Sequence, residues 1–265
     1  MESPVDAITE KLIAPVIDHV RRHDPGTVAG FYLYGSAISR LRPDSDVDLL
    51  LLTRRSLTAD ERANLITLLL AHSGWPGHAE RFPEAADRRP LEFTSLVLDD
   101  IVPLLEWPSR DFQYGEWKRA ELIDGALSPP TRDPDIVTLL ATAHAGHRAL
   151  LGPPLEELVQ AVHPDMLRRA VVASIPGLLD DLDGDERNVL LALARAVVTA
   201  RDGRIVSKDA AADRVAAHLD GHDRALLERA RDGYRGIVDD DWSSLTGEAA
   251  SLARRLAELA VGLET

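Results

Sequence analysis

The chain has no cysteine in its 265 residues, which excludes disulfide staples, thiolate metal sites and thiol nucleophiles. Long apolar runs are missing as well. None approaches the length needed to span a bilayer, and the N-terminal stretch MESPVDAITEKLIAPVIDHVRRH mixes acid and base without a signal-peptide core. No membrane partner and a cytoplasmic location are expected. Lysine is scarce: only Lys11, Lys118 and Lys208 stand against a large excess of arginine. A GC-rich genome produces that bias by itself, but it makes each surviving lysine worth placing. Positive charge is short overall, with 30 Lys and Arg against 44 Asp and Glu, a net charge of −14. A phosphate backbone needs a basic surface, so a nucleic-acid partner, and with it a polymerase, is excluded. An acidic surface suits a polycationic small molecule, although many cytosolic proteins are acidic without such a reason.

What is present is concentrated in FYLYGSAISRLRPDSDVDLLLLT, Phe31 to Thr53. Gly35-Ser36 ends one apolar run, a loop follows, and Asp46-Val47-Asp48 opens a second. Strand alternation puts Asp46 and Asp48 on one face and Val47 on the other. Two carboxylates that close repel one another unless a cation sits between them. A divalent ion held by oxygen ligands, itself holding substrate phosphates, is the usual solution. The Gly-Ser turn can bring backbone and hydroxyl donors near those phosphates. Asp-x-Asp alone is common and usually only solvated. With Gly-Ser nine residues upstream, between two apolar stretches, the pattern points to metal-dependent nucleotidyl transfer and resembles the DNA polymerase β-like nucleotidyltransferase superfamily.

Apolar spacing predicts a helix over 6–22, strands over 28–33 and 47–52, a helix over 57–71, a loop over 72–89 and a third strand over 91–98. From about Asp133 strand signals vanish. Helices are expected near 134–150, 154–162, 164–180, 186–201, 208–219, 221–236 and 243–263. The expected fold class is α+β. An N-terminal α/β domain with a mixed sheet spans 1–155, and an all-α helical bundle spans 156–265, with the break near Gly152-Pro153-Pro154. No extended apolar surface stripe stands out, so a monomer is expected.

Glu92 lies on the third strand, which should pair beside the Asp46/Asp48 strand. Burying a glutamate between Leu91 and Phe93 costs free energy unless it has a partner. In a nucleotidyl-transfer site that partner is the metal or the acceptor hydroxyl, and Glu92 is then the general base. Exposure at a strand end is the plainer alternative.

With LYGSAISRLRPDSDVDLLLL ahead of RPLEFTSLVLDDIVP, FQYGEWKRAEL, GDERNVLLALAR and GRIVSKDAAADRVAAHL, the chain resembles the AadA-type aminoglycoside adenylyltransferases from about residue 8 to 240. These enzymes confer resistance to streptomycin and spectinomycin. The resemblance implies ATP as co-substrate, Mg²⁺ at Asp46, Asp48 and Glu92, and Glu92 as base. It implies triphosphate contacts from the Gly35-Ser36 turn and Ser45, with Arg195, Lys208 and Tyr234 on the nucleotide from the helical domain. Trp117, Asp181 and Asp185 match drug-facing residues that meet an aminoglycoside or aminocyclitol. The dual-substrate members carry a tryptophan and an extra aspartate that spectinomycin-only members lack. Trp117 and Asp181 therefore imply AMP transfer to the 3″-hydroxyl of streptomycin and the 9-hydroxyl of spectinomycin. Spectinomycin alone, or another small molecule or protein, is the alternative acceptor. The Gly35–Asp46 loop is one residue shorter than in the commonest members, and 72–89 looks longer.

Read without the resemblance, Asp185 is an N-cap and Arg195 a solvated arginine. Trp117 is then a partly buried tryptophan, and Lys208 a first-turn residue mildly unfavourable to its helix dipole.

Overall fold

The computed structural model describes residues 7–39, 45–104 and 107–262, so 40–44, the middle of the Gly35–Asp46 loop, lies outside the described residues. The chain divides into two compact units, 1–136 with 142–161, and 137–141 with 162–265.

The first unit begins with α1 (Ala7–His23), β1 (Val28–Tyr34), α2 (Ser36–Ser39), β2 (Val47–Thr53), α3 (Ala59–His72), β3 (Leu91–Val97) and α4 (Leu98–Ile101). It continues with β4 (Ser109–Arg110), β5 (Phe112–Tyr114), α5 (Arg119–Ile123), β6 (Thr131–Arg132), α6 (Asp135–Ala145, its middle belonging to the second unit), β7 (His147–Leu151) and α7 (Leu155–Leu158). Five strands form a mixed sheet in the order β5-β3-β2-β1-β7. Only β2 and β3 run parallel, because α3 lies between them in the chain. Phe31, Leu33, Val47, Leu49, Leu51, Leu91 and Phe93 project from one sheet face onto Ile13, Val16 and Val20 of α1 and Leu65, Ile66 and Leu69 of α3. Each such side chain contributes roughly 1.5–3 kcal/mol when fully buried. Alternation leaves Tyr32, Tyr34, Asp48, Leu50, Glu92 and Thr94 on the opposite face.

A capping box starts α3. Thr58 Oγ1 accepts from the Glu61 N–H at 3.3 Å, and Glu61 accepts from the Thr58 N–H at 2.8 Å. Glu61 also accepts from the Gly26 N–H and from Arg55 Nη1 and Nη2.

The second unit holds α8 (Pro164–Ala173), α9 (Ile175–Asp180), α10 (Glu186–Asp202), α11 (Lys208–Ala216), α12 (Gly221–Tyr234) and α13 (Thr246–Val261). The core helix is α10, packed against α8, α11, α12 and α13. Alanines at 194, 196, 200, 249, 253 and 257 are buried and let helix axes approach. Among the described residues no helix is long and apolar enough to cross a membrane.

Three helix expectations change. The helix near 134–150 ends at Ala145, and His147–Leu151 is a strand beside β1. Gly146 is fully extended there, and the strand satisfies backbone groups that β1 would otherwise present at an open edge. The helix over 164–180 breaks at Ser174, since Pro176 has no N–H to continue the ladder. The helix over 154–162 shrinks to one turn, α7.

Candidate active site

The site is built where β1 ends and β2 begins. Gly35 has a φ of +69°, and a Cβ placed on it would lie 2.2 Å from Asp48 Oδ2. Both the backbone conformation and the carboxylate packed over it require glycine. Ser36 follows, half-buried, its hydroxyl 3.5 Å from the Asp46 carbonyl that can accept from it. Ser45 is buried, and its hydroxyl has no hydrogen-bond partner among the described residues. Its carbonyl accepts from Arg89 Nη1 at 3.1 Å, which fixes the chain just before Asp46.

The Val47 N–H donates to the Pro90 carbonyl at 2.9 Å and sets the parallel register, so that Val47 pairs with Leu91 and Asp48 with Glu92. Val47 and Leu91 are buried, whereas Asp46, Asp48 and Glu92 are half-buried. Asp48 and Glu92 therefore leave the same sheet face from neighbouring strands about 4.8 Å apart. Asp46 stands at the mouth of β2.

Behind them sits a buried polar layer that sequence reasoning missed. Tyr34 pairs with Asp48 in the β1–β2 register. Burial, then the nearby Asp48 and Glu92 carboxylates, push its phenol well above the ordinary tyrosine range, so it stays protonated. Arg110 is buried and donates to Thr94 Oγ1 (3.2 Å), to Asp133 Oδ2 (2.8 Å from Nη2) and to Asp135 Oδ2 (3.4 Å). Burial alone would weaken its hold on the proton, but Asp133, Asp135 and then Glu92 outweigh it. Thr94 is two residues from Glu92 on the same strand face, so Arg110 places a fixed cation beside the carboxylates. Nothing in SRDFQ announces a buried arginine. A cleft of about 230 Å³ opens beside this layer, lined by Arg110, Gln113, Lys118, Leu122 and Leu127 among others, and it includes none of the three carboxylates.

Among the described residues no three His, Cys, Asp or Glu side chains are already gathered closely enough to hold a metal ion. The donor chemistry still fits magnesium. Mg²⁺ takes oxygen ligands, and it commonly uses one or two carboxylates with substrate phosphates supplying the rest. Asp46, Asp48 and Glu92 offer such oxygens around the Gly35-Ser36 turn.

In the helical unit Asp185 is the N-cap residue of α10, but its carboxylate caps no backbone N–H and accepts instead from Asn188 Nδ2 at 2.7 Å. Crowding by neighbouring atoms pushes its carboxyl up even though its surface remains accessible, while Asn188 and Lys208 pull it back. Lys208 opens α11 behind an N-cap at Ser207, whose hydroxyl accepts from the Ala210 N–H. Tyr234 closes α12. Arg235 donates to Asp209 Oδ2 at 3.3 Å and to Asp213 Oδ2 at 2.7 Å, tying the residue after Tyr234 to the residue after Lys208. Asp185, Lys208 and Tyr234 thus share one end of the helical unit. Arg195 is half-buried on α10, and Asp181 is exposed where α9 ends. Trp117 belongs to the first unit and is 58% exposed.

A sheet with a Gly-Ser turn facing paired carboxylates, followed by a helical bundle, defines a nucleotidyltransferase class of fold. Comparison with known proteins narrows it. Residues 157–258 match the model described as the aminoglycoside adenylyltransferase C-terminal domain. A spectinomycin 9-adenylyltransferase of Campylobacter jejuni is 40% identical over 228 residues, 86% of each chain. An aminoglycoside (3″)(9) adenylyltransferase of Escherichia coli is 35% identical over 247 residues, 92% of each. Among solved structures, the spectinomycin adenyltransferase AAD(9) from Enterococcus faecialis, crystallised with ATP and spectinomycin, superposes with a TM-score of 0.86 at 26% identity, covering 95% of this chain and 98% of its own. The chain belongs to the aminoglycoside adenylyltransferase family.

Proposed function

We propose that the protein transfers AMP from MgATP to a hydroxyl of an aminoglycoside antibiotic, the 3″-hydroxyl of streptomycin and the 9-hydroxyl of spectinomycin, and so inactivates the drug. The observation that carries this reading is the Asp48–Glu92 register pair, set on one sheet face against the Gly35-Ser36 turn. Residues 1–155 act as the nucleotidyltransferase domain, and 156–265 contribute to ATP and drug binding.

Gly35, Ser36 and Ser45 receive the triphosphate, with Arg195, Lys208 and Tyr234 as further nucleotide contacts. Asp46, Asp48 and Glu92 would hold Mg²⁺, which would supply neutralisation of the charge developing on the phosphates. Glu92 takes the proton of the drug hydroxyl as its oxygen forms a bond to the α-phosphorus. The bond from that phosphorus to the β-phosphate bridging oxygen breaks, and pyrophosphate leaves. Arg110, held as a cation by Asp133, Asp135 and then Glu92, stands beside the base as a fixed positive charge. Asp181 and Asp185 accept charge-assisted hydrogen bonds from guanidinium and ammonium groups, and Trp117 stacks against the drug. The protein acts as a monomer on a small molecule, not on nucleic acid.

One observation favours spectinomycin as the sole acceptor. The Campylobacter jejuni and Staphylococcus aureus relatives named spectinomycin 9-adenylyltransferase are 38–40% identical to this chain, against 33–35% for the Escherichia coli and Rhizobium radiobacter relatives named for both positions, although the solved AAD(9) is 26% identical. Trp117 and Asp181 favour dual use. Pyrophosphate release with each drug, for wild type, Trp117→Ala and Asp181→Ala, decides between the two. Dual use requires turnover of both drugs by the wild type and a loss confined to streptomycin in the variants. No streptomycin turnover by the wild type leaves spectinomycin alone. Inactivity with both drugs rejects the proposal.

A further inference from the structure

We propose that Gly115 and Glu116 are positioning residues that hold the Trp117 indole as a fixed stacking face and thereby set the preference between the two drugs. This rests on Trp117 facing the drug.

An exposed tryptophan ordinarily samples several rotamers, and freezing one on binding opposes affinity. Two features favour one placement of this ring: room for it over Gly115, and a fixed turn beneath it. The first is Gly115. A Cβ built on it would sit 2.3 Å from Cη2 and Cζ3 of the Trp117 indole, and its three nearest atoms all belong to that ring. Gly115 has a φ of −161°, extended backbone open to any residue. This placement of the indole therefore needs the missing Cβ, whereas the chain path does not.

The second feature is Glu116, which is buried in the turn that carries Trp117. Its carboxylate accepts from Arg119 Nε at 2.7 Å, from the Tyr114 hydroxyl at 2.7 Å and from the Ser73 hydroxyl, with His78 Nε2 at 3.1 Å. Arg119 Nη2 also donates to the Ser73 carbonyl at 2.7 Å. Ser73 Oγ in turn accepts from the Leu91 N–H at 2.9 Å, one residue before Glu92. A single buried hub thus fixes the turn under Trp117 and the start of the strand that carries the proposed base.

Gly115→Ala tests this, because its backbone tolerates alanine and the three atoms nearest the new methyl all belong to the indole. The readout is the ratio of kcat/KM for streptomycin to that for spectinomycin, which cancels any loss of folded enzyme. The ratio should fall about tenfold in Gly115→Ala, the scale of one lost stacking contact. It should fall by about two- to threefold in Glu116→Gln, which removes the charge and turns one of the two accepting oxygens into an N–H donor. In a Trp117→Ala background Gly115→Ala should change nothing further. A Gly115→Ala ratio within about twofold of wild type, alongside a collapsed ratio in Trp117→Ala, would overturn the positioning role and leave the drug contact standing. Additive losses in the double variant would also overturn it. A flat ratio in Trp117→Ala would instead reject the drug contact, and the positioning role with it.

Discussion

In the sheet-bearing unit Arg62, Arg110, Asp111, Glu116 and Arg119 are buried, each inside a hydrogen-bonded group. In the helical unit Glu186 is the one buried charged side chain among the described residues, and ion pairs such as Arg231–Asp213, Arg235–Asp213 and Arg255–Asp223 lie at the surface. Taking paired charges out of water gains little net stability, but the pair then tolerates only one geometry. Surface pairs contribute about 0–1 kcal/mol each and leave their long side chains free to rearrange. The first unit therefore fixes the orientation of its buried charges, as the proposed base would require. The second carries its ion pairs at the surface, where the proposed nucleotide and drug contacts would also lie.

The sharpest way to break that contrast is to remove chemistry from the first unit. Glu92→Gln should lower kcat by about 10²–10⁴-fold, the range for a positioned general base, while calorimetric binding of ATP and drug is retained. Near-wild-type turnover would show that the proton leaves by another route and that the sheet only holds the nucleotide.

A smaller effect is expected from the second unit. Lys208→Ala should raise the KM for ATP by about five- to tenfold, the scale of one charge-assisted hydrogen bond, with kcat little changed. A lysine in the first turn of a helix opposes the macrodipole, so its removal should leave thermal stability unchanged or raise it by a few tenths of a kcal/mol. A lower melting temperature with an unchanged KM would make Lys208 structural, and the helical unit would lose its adjustable cation.

The same contrast explains what could be read from the chain alone. The strands β1, β2 and β3 are apolar runs bounded by turns, and alternation put Asp48 and Glu92 on faces that the observed register joins. His147–Leu151 read as helix because a short apolar run carries no decisive period, and only Gly146 marks the change. β4, β5 and β6 are two or three residues long, too short to show any period. The buried hub was invisible for a different reason. Glu116 and Arg119 look like ordinary surface charges three residues apart, and their burial depends on Ser73 and His78, some forty residues upstream. Local pattern shows which face is apolar, but not which charge a distant segment will cover. Asp185 misled in the milder sense: it sits at an N-cap position without capping.

The smallest effect sharpens the contrast on stability. Hydrogen bonds from Arg55 first, then from the Thr58 and Gly26 N–H groups, hold the Glu61 carboxyl at about 2, below its ordinary 4.5. A depressed carboxyl stabilises the fold fully above the unfolded value and loses that contribution as pH falls toward the folded one. Glu61→Ala should therefore cost about 1–2 kcal/mol at pH 7, and the gap to wild type should close progressively below about pH 4.5. Glu61→Gln keeps the capping box and should cost less, the remainder reporting the Arg55 pair. Asp213→Ala, which removes the surface partner of Arg231 and Arg235, should cost less than about 1 kcal/mol. Chemical denaturation across pH 3 to 7 measures all three. An Asp213→Ala loss equal to that of Glu61→Ala would mean that the helical unit, too, depends on fixed charge geometry, and the division of labour between the units would fail.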